Sequence, residues 1–252
     1  MTKLIRHIIS RRLPCFFISP HLDDAALSAA CLMRFLVNRG VPVTVINVFT
    51  RALDGPQTLS AQRLVHLSGY STASSLYLAR LTEDAQALAT IGVKVINLDY
   101  TDAPWRRRPD QPRLVQSLAT LIPEVSHLYP VHRLHITSGR VSPHDLGLIG
   151  LLAARLQLLI PQSAAVFCPQ AIGGHVDHCL VRSAVESRFH PVLWLDQPYA
   201  QRVASSPDGF TFPTRHPFKK TVLRLYKTQI GLLFPSGKIP LLEERFIFPH
   251  AH

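Results

Sequence analysis

Two short stretches of this chain carry residue types that can do metal chemistry. The first is Pro20-His21-Leu22-Asp23-Asp24. His21 and Asp24 are three apart and can converge on one point from a tight turn, while Asp23 must point elsewhere. An imidazole and a carboxylate suit Zn²⁺, and a second, unligated carboxylate can take a proton from water. The second stretch is Gly173-Gly174-His175-Val176-Asp177-His178. On a first helical turn, His175 and His178 share a face. Asp177 can hold one of them in a defined tautomer, and the paired glycines let backbone approach a ligand closely. Each stretch alone has a plainer reading: aspartates cap helices by satisfying orphan N–H groups, and metal-spaced histidines are often incidental. Together they supply three ligands with a fourth position open, the pattern of a catalytic zinc.

Both stretches fall where a strand gives way to a helix. Residues 15–19 form an apolar run ended by Pro20. Helix formers then extend from Asp24 to Arg39 before Gly40, and 43–49 form a second apolar run. Strand, helix, strand within this span is a βαβ unit. The pattern continues with a helix at 74–91 stopped by Gly92, a strand at 93–98, a helix at 112–128 and a short strand at 134–137. A helix at 143–160, a strand at 165–168, a helix at 177–188 and a strand at 192–195 follow. Such alternation predicts an α/β fold with a mostly parallel sheet and helices on both faces. Residues 53–72 and the stretch around Trp105 read as long loops, and 197–217, rich in Pro and Ser, as a lid. One domain over 1–252, with its core at about 15–250 and loop insertions, is the simplest organisation.

Hydrophobic residues make up 47% of the 252 and charged residues 17%, so a sizeable core can form and wholesale disorder is excluded. Lys and Arg number 27 against 16 Asp and Glu, a net charge of +11 that favours anionic partners. The four cysteines, Cys15, Cys31, Cys168 and Cys179, form no C-x-x-C pair, which disfavours a zinc knuckle. Their apolar flanks fit reduced thiols in a cytoplasmic protein. The basic start, broken by Arg6, His7, Arg11 and Arg12, does not read as a signal peptide, and no run is long enough to span a membrane.

Residues 20–24 resemble the P/A-H-x-D-D motif of the PIG-L/LmbE-like zinc-dependent N-deacetylases, and 175–178 resemble that family's H-x-D-H motif. Arg80-Leu81-Thr82-Glu83-Asp84 is similar to its R-x-x-E-D helix, the segment 98–106 to one that follows it, and Lys227-Thr228-Gln229 to a recurrent late element. The likeness runs roughly from Phe16 to Phe248. It implies a Rossmann-like fold with one zinc ion per chain, held by His21, Asp24 and His178 at the C-terminal edge of the sheet. Asp23 would be the general base. His175, oriented by Asp177, would stabilise the oxyanion or act as acid, leaving open which group protonates the amine. The implied substrate is a small N-acetylated amino-sugar conjugate: a glycoconjugate, a thiol cofactor precursor or an antibiotic intermediate. Two departures are Ala25 where glutamate often stands and Val176 where proline is commoner; neither removes a ligand.

Other readings compete. A metallophosphoesterase fits the charge, but a two-metal site needs more carboxylates than these motifs carry, with Asp99 and Asp102 the only further candidates. A nucleic-acid module rests on +11 and Arg106-Arg107-Arg108 alone, with no recognition signature. A catalytically dead relative is disfavoured because the ligands and base are all retained. Arg51, Arg80 and Trp105 are candidate substrate contacts, with surface ion pairing the favoured reading for the two arginines. The arginine triplet is expected to form a basic rim, Asp145 to cap a helix, and oligomeric state is not readable.

Overall fold

The computed structural model describes residues 2–109, 111–203 and 208–248. Strands β1 (Cys15–Ser19), β2 (Val43–Arg51), β3 (Lys94–Thr101), β4 (Ala165–Pro169) and β5 (Val192–Trp194) run parallel. β7 (Glu244–Ile247) pairs antiparallel with both β5 and β6 (Gly209–Phe212), giving the order β3-β2-β1-β4-β5-β7-β6. The chain runs outward from β1 to β3, then returns to lay β4 against the other side of β1. The crevice beyond the C-terminal ends of β1 and β4 is therefore a topological switch point, where open α/β sheets bind ligands.

Alternate residues of each strand face opposite layers. Cys15 and Phe17 join α2 (Asp24–Val37), α4 (Ala73–Ile91) and the C-terminal helices α8 (His216–Leu223) and α9 (Lys227–Leu233). Phe16 and Ile18 join α6 (Leu146–Leu159) and α7 (Val176–Glu186). Helices thus cover both faces, as the alternation requires.

Several elements differ from expectation. Lys3–Arg11 forms a helix, α1, because Ile5 and Ile8 bury one face while the cations stay outside. The stretch 53–72 holds helix α3 (Leu59–Leu67), capped by Thr58 and seated on Ala61 and Val65. The helix expected over 112–128 shrinks to α5 (Arg113–Leu118), which buries no residue, and Pro123 cannot continue it. The strand expected at 134–137 is instead a wide helical turn at His132–Ile136: β1 pairs directly with β4, so the sheet has no slot for it. Part of the expected lid is edge strand β6; residues 204–207 of that stretch lie outside the described residues.

Candidate metal centre

At the β1–α2 junction neither aspartate caps its helix. Ser19 does this work: its hydroxyl accepts the Ala25 N–H at 3.0 Å and donates to the His21 carbonyl at 2.6 Å. Asp23, at the N-cap position, makes no side-chain cap bond. Asp24 accepts the His21 N–H at 2.9 Å, folding the turn so that both side chains face the crevice.

The β4–α7 junction is tighter. Gly174 adopts φ +64°, and a Cβ there would lie 3.2 Å from Thr137 O. A Cβ on Gly173 would come within 2.5 Å of the Tyr199 ring, so only glycine fits beneath that ring. His175 is the N-cap of α7, its Nδ1 accepting the Asp177 N–H at 3.2 Å.

The two junctions converge. Asp24 Oδ2 lies 3.2 Å from His21 Nδ1 and 3.2 Å from His178 Nε2. Ring nitrogens of His21, His175 and His178 come within 4.8 Å of one another, close enough to share an ion. The His21 and His175 rings meet edge-on at 4.7 Å. The side chains expected to ligate, His21, Asp24 and His178, are thus together, with Asp23 buried beside them.

Second partners orient them. His178 Nδ1 meets Asp196 Oδ1 at 2.6 Å, and the other oxygen of Asp196 accepts the Ile172 N–H at 3.1 Å, tying His178 to the loop that carries His175. A carboxylate on the far nitrogen of a metal-binding histidine fixes its tautomer. Asp177 plays this part for His21, with Oδ2 at 3.1 Å from Nε2. That oxygen also accepts the Ala103 N–H, and Oδ1 is held by Arg106 at 2.5 Å, so the carboxylate is engaged away from His175. What holds His175 is the Asp177 backbone.

Four residues sit differently from expectation. Arg106 is no rim residue. It is 7% exposed, bridging Asp177 and Asp145, the latter at 2.9 Å, and only Arg107 and Arg108 face solvent. Asp145 accordingly does not cap α6 but binds Arg106 and the Tyr129 hydroxyl. Trp105, 1% exposed and packed edge-on against Tyr77, is closed to substrate. Arg51 lies at the surface with Asp99 and Thr101. Arg80, expected in a surface pair, is buried beside Tyr77, and its Nε finds no partner among the described residues.

Asp102 and Asp196 enter the site although neither motif contains them. Asp102 lies 3.5 Å from His21 Nε2 and accepts the Tyr77 hydroxyl. With His21, His175 and Asp177 it completes a second possible donor group. There, however, the Arg106 guanidinium already neutralises Asp177. Deeper still, Glu83 accepts the N–H and hydroxyl of Thr228, and Asp84 accepts Asn47 and the Tyr226 hydroxyl. The R-x-x-E-D helix and the Lys227-Thr228-Gln229 element are thus clasped to each other.

The electrostatics favour a cation. Burial opposes charge on His21, yet Asp102, Asp177 and Asp24 raise its pKa well above the usual value. Burial likewise opposes charge on His178, but Asp24 and Asp196 carry it up to about 10. Burial would raise Asp24, but the His178 and His21 rings pull it well below the carboxylate range. Against burial, Arg106 and His21 hold Asp177 down at about 2. Burial, then the His21 and His178 rings, push His175 well below its ordinary value. Burial, then Asp24, push Asp23 up to about 7. Protons on His21 and His178 here balance buried carboxylates, a balance that a divalent ion strikes by displacing them. The donor set therefore fits a metal.

The profile of the family described as PIG-L, GlcNAc-PI de-N-acetylase, matches residues 16–189, which include both junctions. The chain belongs to the PIG-L family. This PIG-L chain is 29% identical over 244 residues to 2'-N-acetylparomamine deacetylase of Niallia circulans, covering 86% of this chain and 81% of that one. Among solved structures it resembles a deacetylase–bog complex from the biosynthesis pathway of teicoplanin, at 26% identity and TM-score 0.69 over 88% of this chain and 86% of that. It resembles the zinc-inhibited form of teicoplanin deacetylase Orf2 equally, at 26% identity and TM-score 0.69, over 87% and 86%. Its class is that of an amide hydrolase, an N-deacetylase. No helix among the described residues is long and apolar enough to cross a membrane.

Proposed function

We propose that this chain, working as one catalytic domain, is a zinc-dependent N-deacetylase of a small amino-sugar conjugate. The supporting observation is the convergence of His21, Asp24 and His178 around one point, with Asp23 buried at its side. His21, Asp24 and His178 would hold one zinc ion, which when bound supplies a Lewis acid for the acyl oxygen and makes water nucleophilic near neutral pH.

The chain's own residues do the rest. Asp23, its carboxyl lifted to about 7, takes the proton of the attacking water and delivers it to the leaving nitrogen. Oxygen bonds to the acyl carbon, the C–N bond breaks, and acetate and a free amine depart. His175, its Nδ1 occupied by the Asp177 N–H, keeps its proton on Nε2 and donates from there to the developing oxyanion. Asp177 and Asp196 hold His21 and His178 in their binding tautomers. Arg80, whose positive charge bears on Asp23, is the residue we assign to a sugar hydroxyl. The N-acetyl amino-sugar substrate is inferred from relatives whose names place them on paromamine and teicoplanin. A cytoplasmic setting is supported by four cysteines, none in a disulfide among the described residues.

The test separates ligand from base. Elemental analysis should find about one zinc per chain, lost when His21, Asp24 and His178 are all replaced by Ala. Asp23→Asn should keep the metal while acetate release from N-acetylglucosamine conjugates slows by about 10²-fold or more. Metal lost from Asp23→Asn but kept in Asp24→Asn would reverse the two roles.

A further inference from the structure

At the other end of α2 the surface opens into a groove of about 830 Å³, a volume that suits a small molecule. Along α2, Arg34 in this groove stands about 15 Å from Asp24 at 1.5 Å per residue, so it is separate from the metal centre. Phe210 and Phe212 lie two apart on edge strand β6 and share a face. With Phe35 of α2 and Phe218 of α8 they line the groove with half-buried rings, Phe35 meeting Phe212 edge-on at 5.1 Å.

Three guanidiniums stand among these rings: Arg34, Arg39 and Arg215. Among the described residues no acidic residue lines the groove. Arginine and lysine ion pairs among the described residues involve Arg51, Arg106, Arg182 and Lys219, and none of these three. Arg39 lies 3.5 Å from the Phe35 ring centre, and Arg34 donates to the Ile91 carbonyl. The nearest buried acid, Glu244, is already spent: it accepts the Cys31 and Leu32 N–H groups at 2.7 and 2.9 Å and pairs with Lys219 at 3.0 Å. The groove therefore joins like charges that repel one another to aromatic faces left wet. A flat ring carrying negative charge relieves both costs, through stacking and through bidentate contact with arginine.

We propose that this groove binds a planar aromatic anion, such as an aryl phosphate, with its ring among the four phenylalanines and its charge toward the three arginines. The full-length protein would be titrated calorimetrically with 1-naphthyl phosphate and with neutral 1-naphthol. The expected result is a Kd for the phosphate below about 1 mM, with 1-naphthol at least tenfold weaker. In Arg39→Ala/Arg215→Ala, which changes two exposed side chains, that preference should fall at least tenfold while acetate release is unchanged. Phe212→Ala should weaken both probes. Equal affinity for the two probes, or a preference that survives the double substitution, overturns the proposal. So does a double variant that changes sedimentation while neither protein binds 1-naphthyl phosphate, since the groove is then a contact between two copies of the chain.

Discussion

At the start of α2 the aspartates are free for chemistry because Ser19, from the preceding strand, takes over the cap. At the start of α7 the arrangement is inverted: the functional histidine is itself the cap, its Nδ1 engaged by the Asp177 N–H. Both junctions deliver polar side chains to one crevice, but the first leaves its carboxylates out of the helix cap while the second commits one nitrogen of its histidine to it. The difference assigns their chemistry. Groups free of capping duty can exchange protons or bind an ion, whereas a ring anchored through one nitrogen becomes a fixed donor through the other.

The sharpest way to break this comparison is His175→Asn. Asparagine is a good N-cap, so stability should change by only a few tenths of a kcal/mol, while kcat falls by roughly 10²-fold or more with the oxyanion donor gone. Urea unfolding beside acetate-release kinetics reads both. Retained kcat would show that capping is all His175 does.

Asp196→Ala tests whether the α7 ligand depends on its outer partner. Losing the 2.6 Å contact to His178 should weaken zinc binding about 10- to 100-fold in a competitive chelator titration. An unchanged affinity would make Asp196 a loop anchor only.

Asp84 lies beneath the first junction, its carboxyl pushed up to about 7 by burial against the bonds from Tyr226 and Asn47. A raised carboxyl means that the folded chain binds more protons than the unfolded one between about pH 4 and 7. Stability from this group is therefore full below about pH 4 and is lost as pH rises through 7. The loss is on the order of 1–4 kcal/mol at about 1.4 kcal/mol per pKa unit. Asp84→Asn should flatten that slope in urea unfolding across the range; a slope that persists belongs to other groups.

The smallest effect is expected at Ser19. Ser19→Ala removes the substitute cap and should cost about 1 kcal/mol, with zinc content kept if Asp24 stays in place. A loss of zinc together with stability would mean that Asp24 swings back to cap α2, sharpening the contrast between the junctions.

Sequence alone determined the parallel core and both crevice-facing stretches, because their geometry is local. His21 to Asp24 and His175 to His178 span a single turn, and an apolar run followed by helix formers places that turn at a strand end. Pairing across the chain was not local. Arg106 reads as one of three solvated arginines, yet it lies inside because folding brings Asp145 and Asp177 to either side of it. Trp105, Arg80 and Asp145 lie buried for the same reason: burial depends on what packs over a residue, not on its neighbours in sequence. Asp102 and Asp196 join the site from the ends of β3 and β5, and only the strand order reveals that those ends flank one crevice. The short helix α3 and the lost strand at 134–137 follow the same physics. A short apolar segment takes the form that the neighbouring surface can bury, and that surface exists only once the sheet has formed.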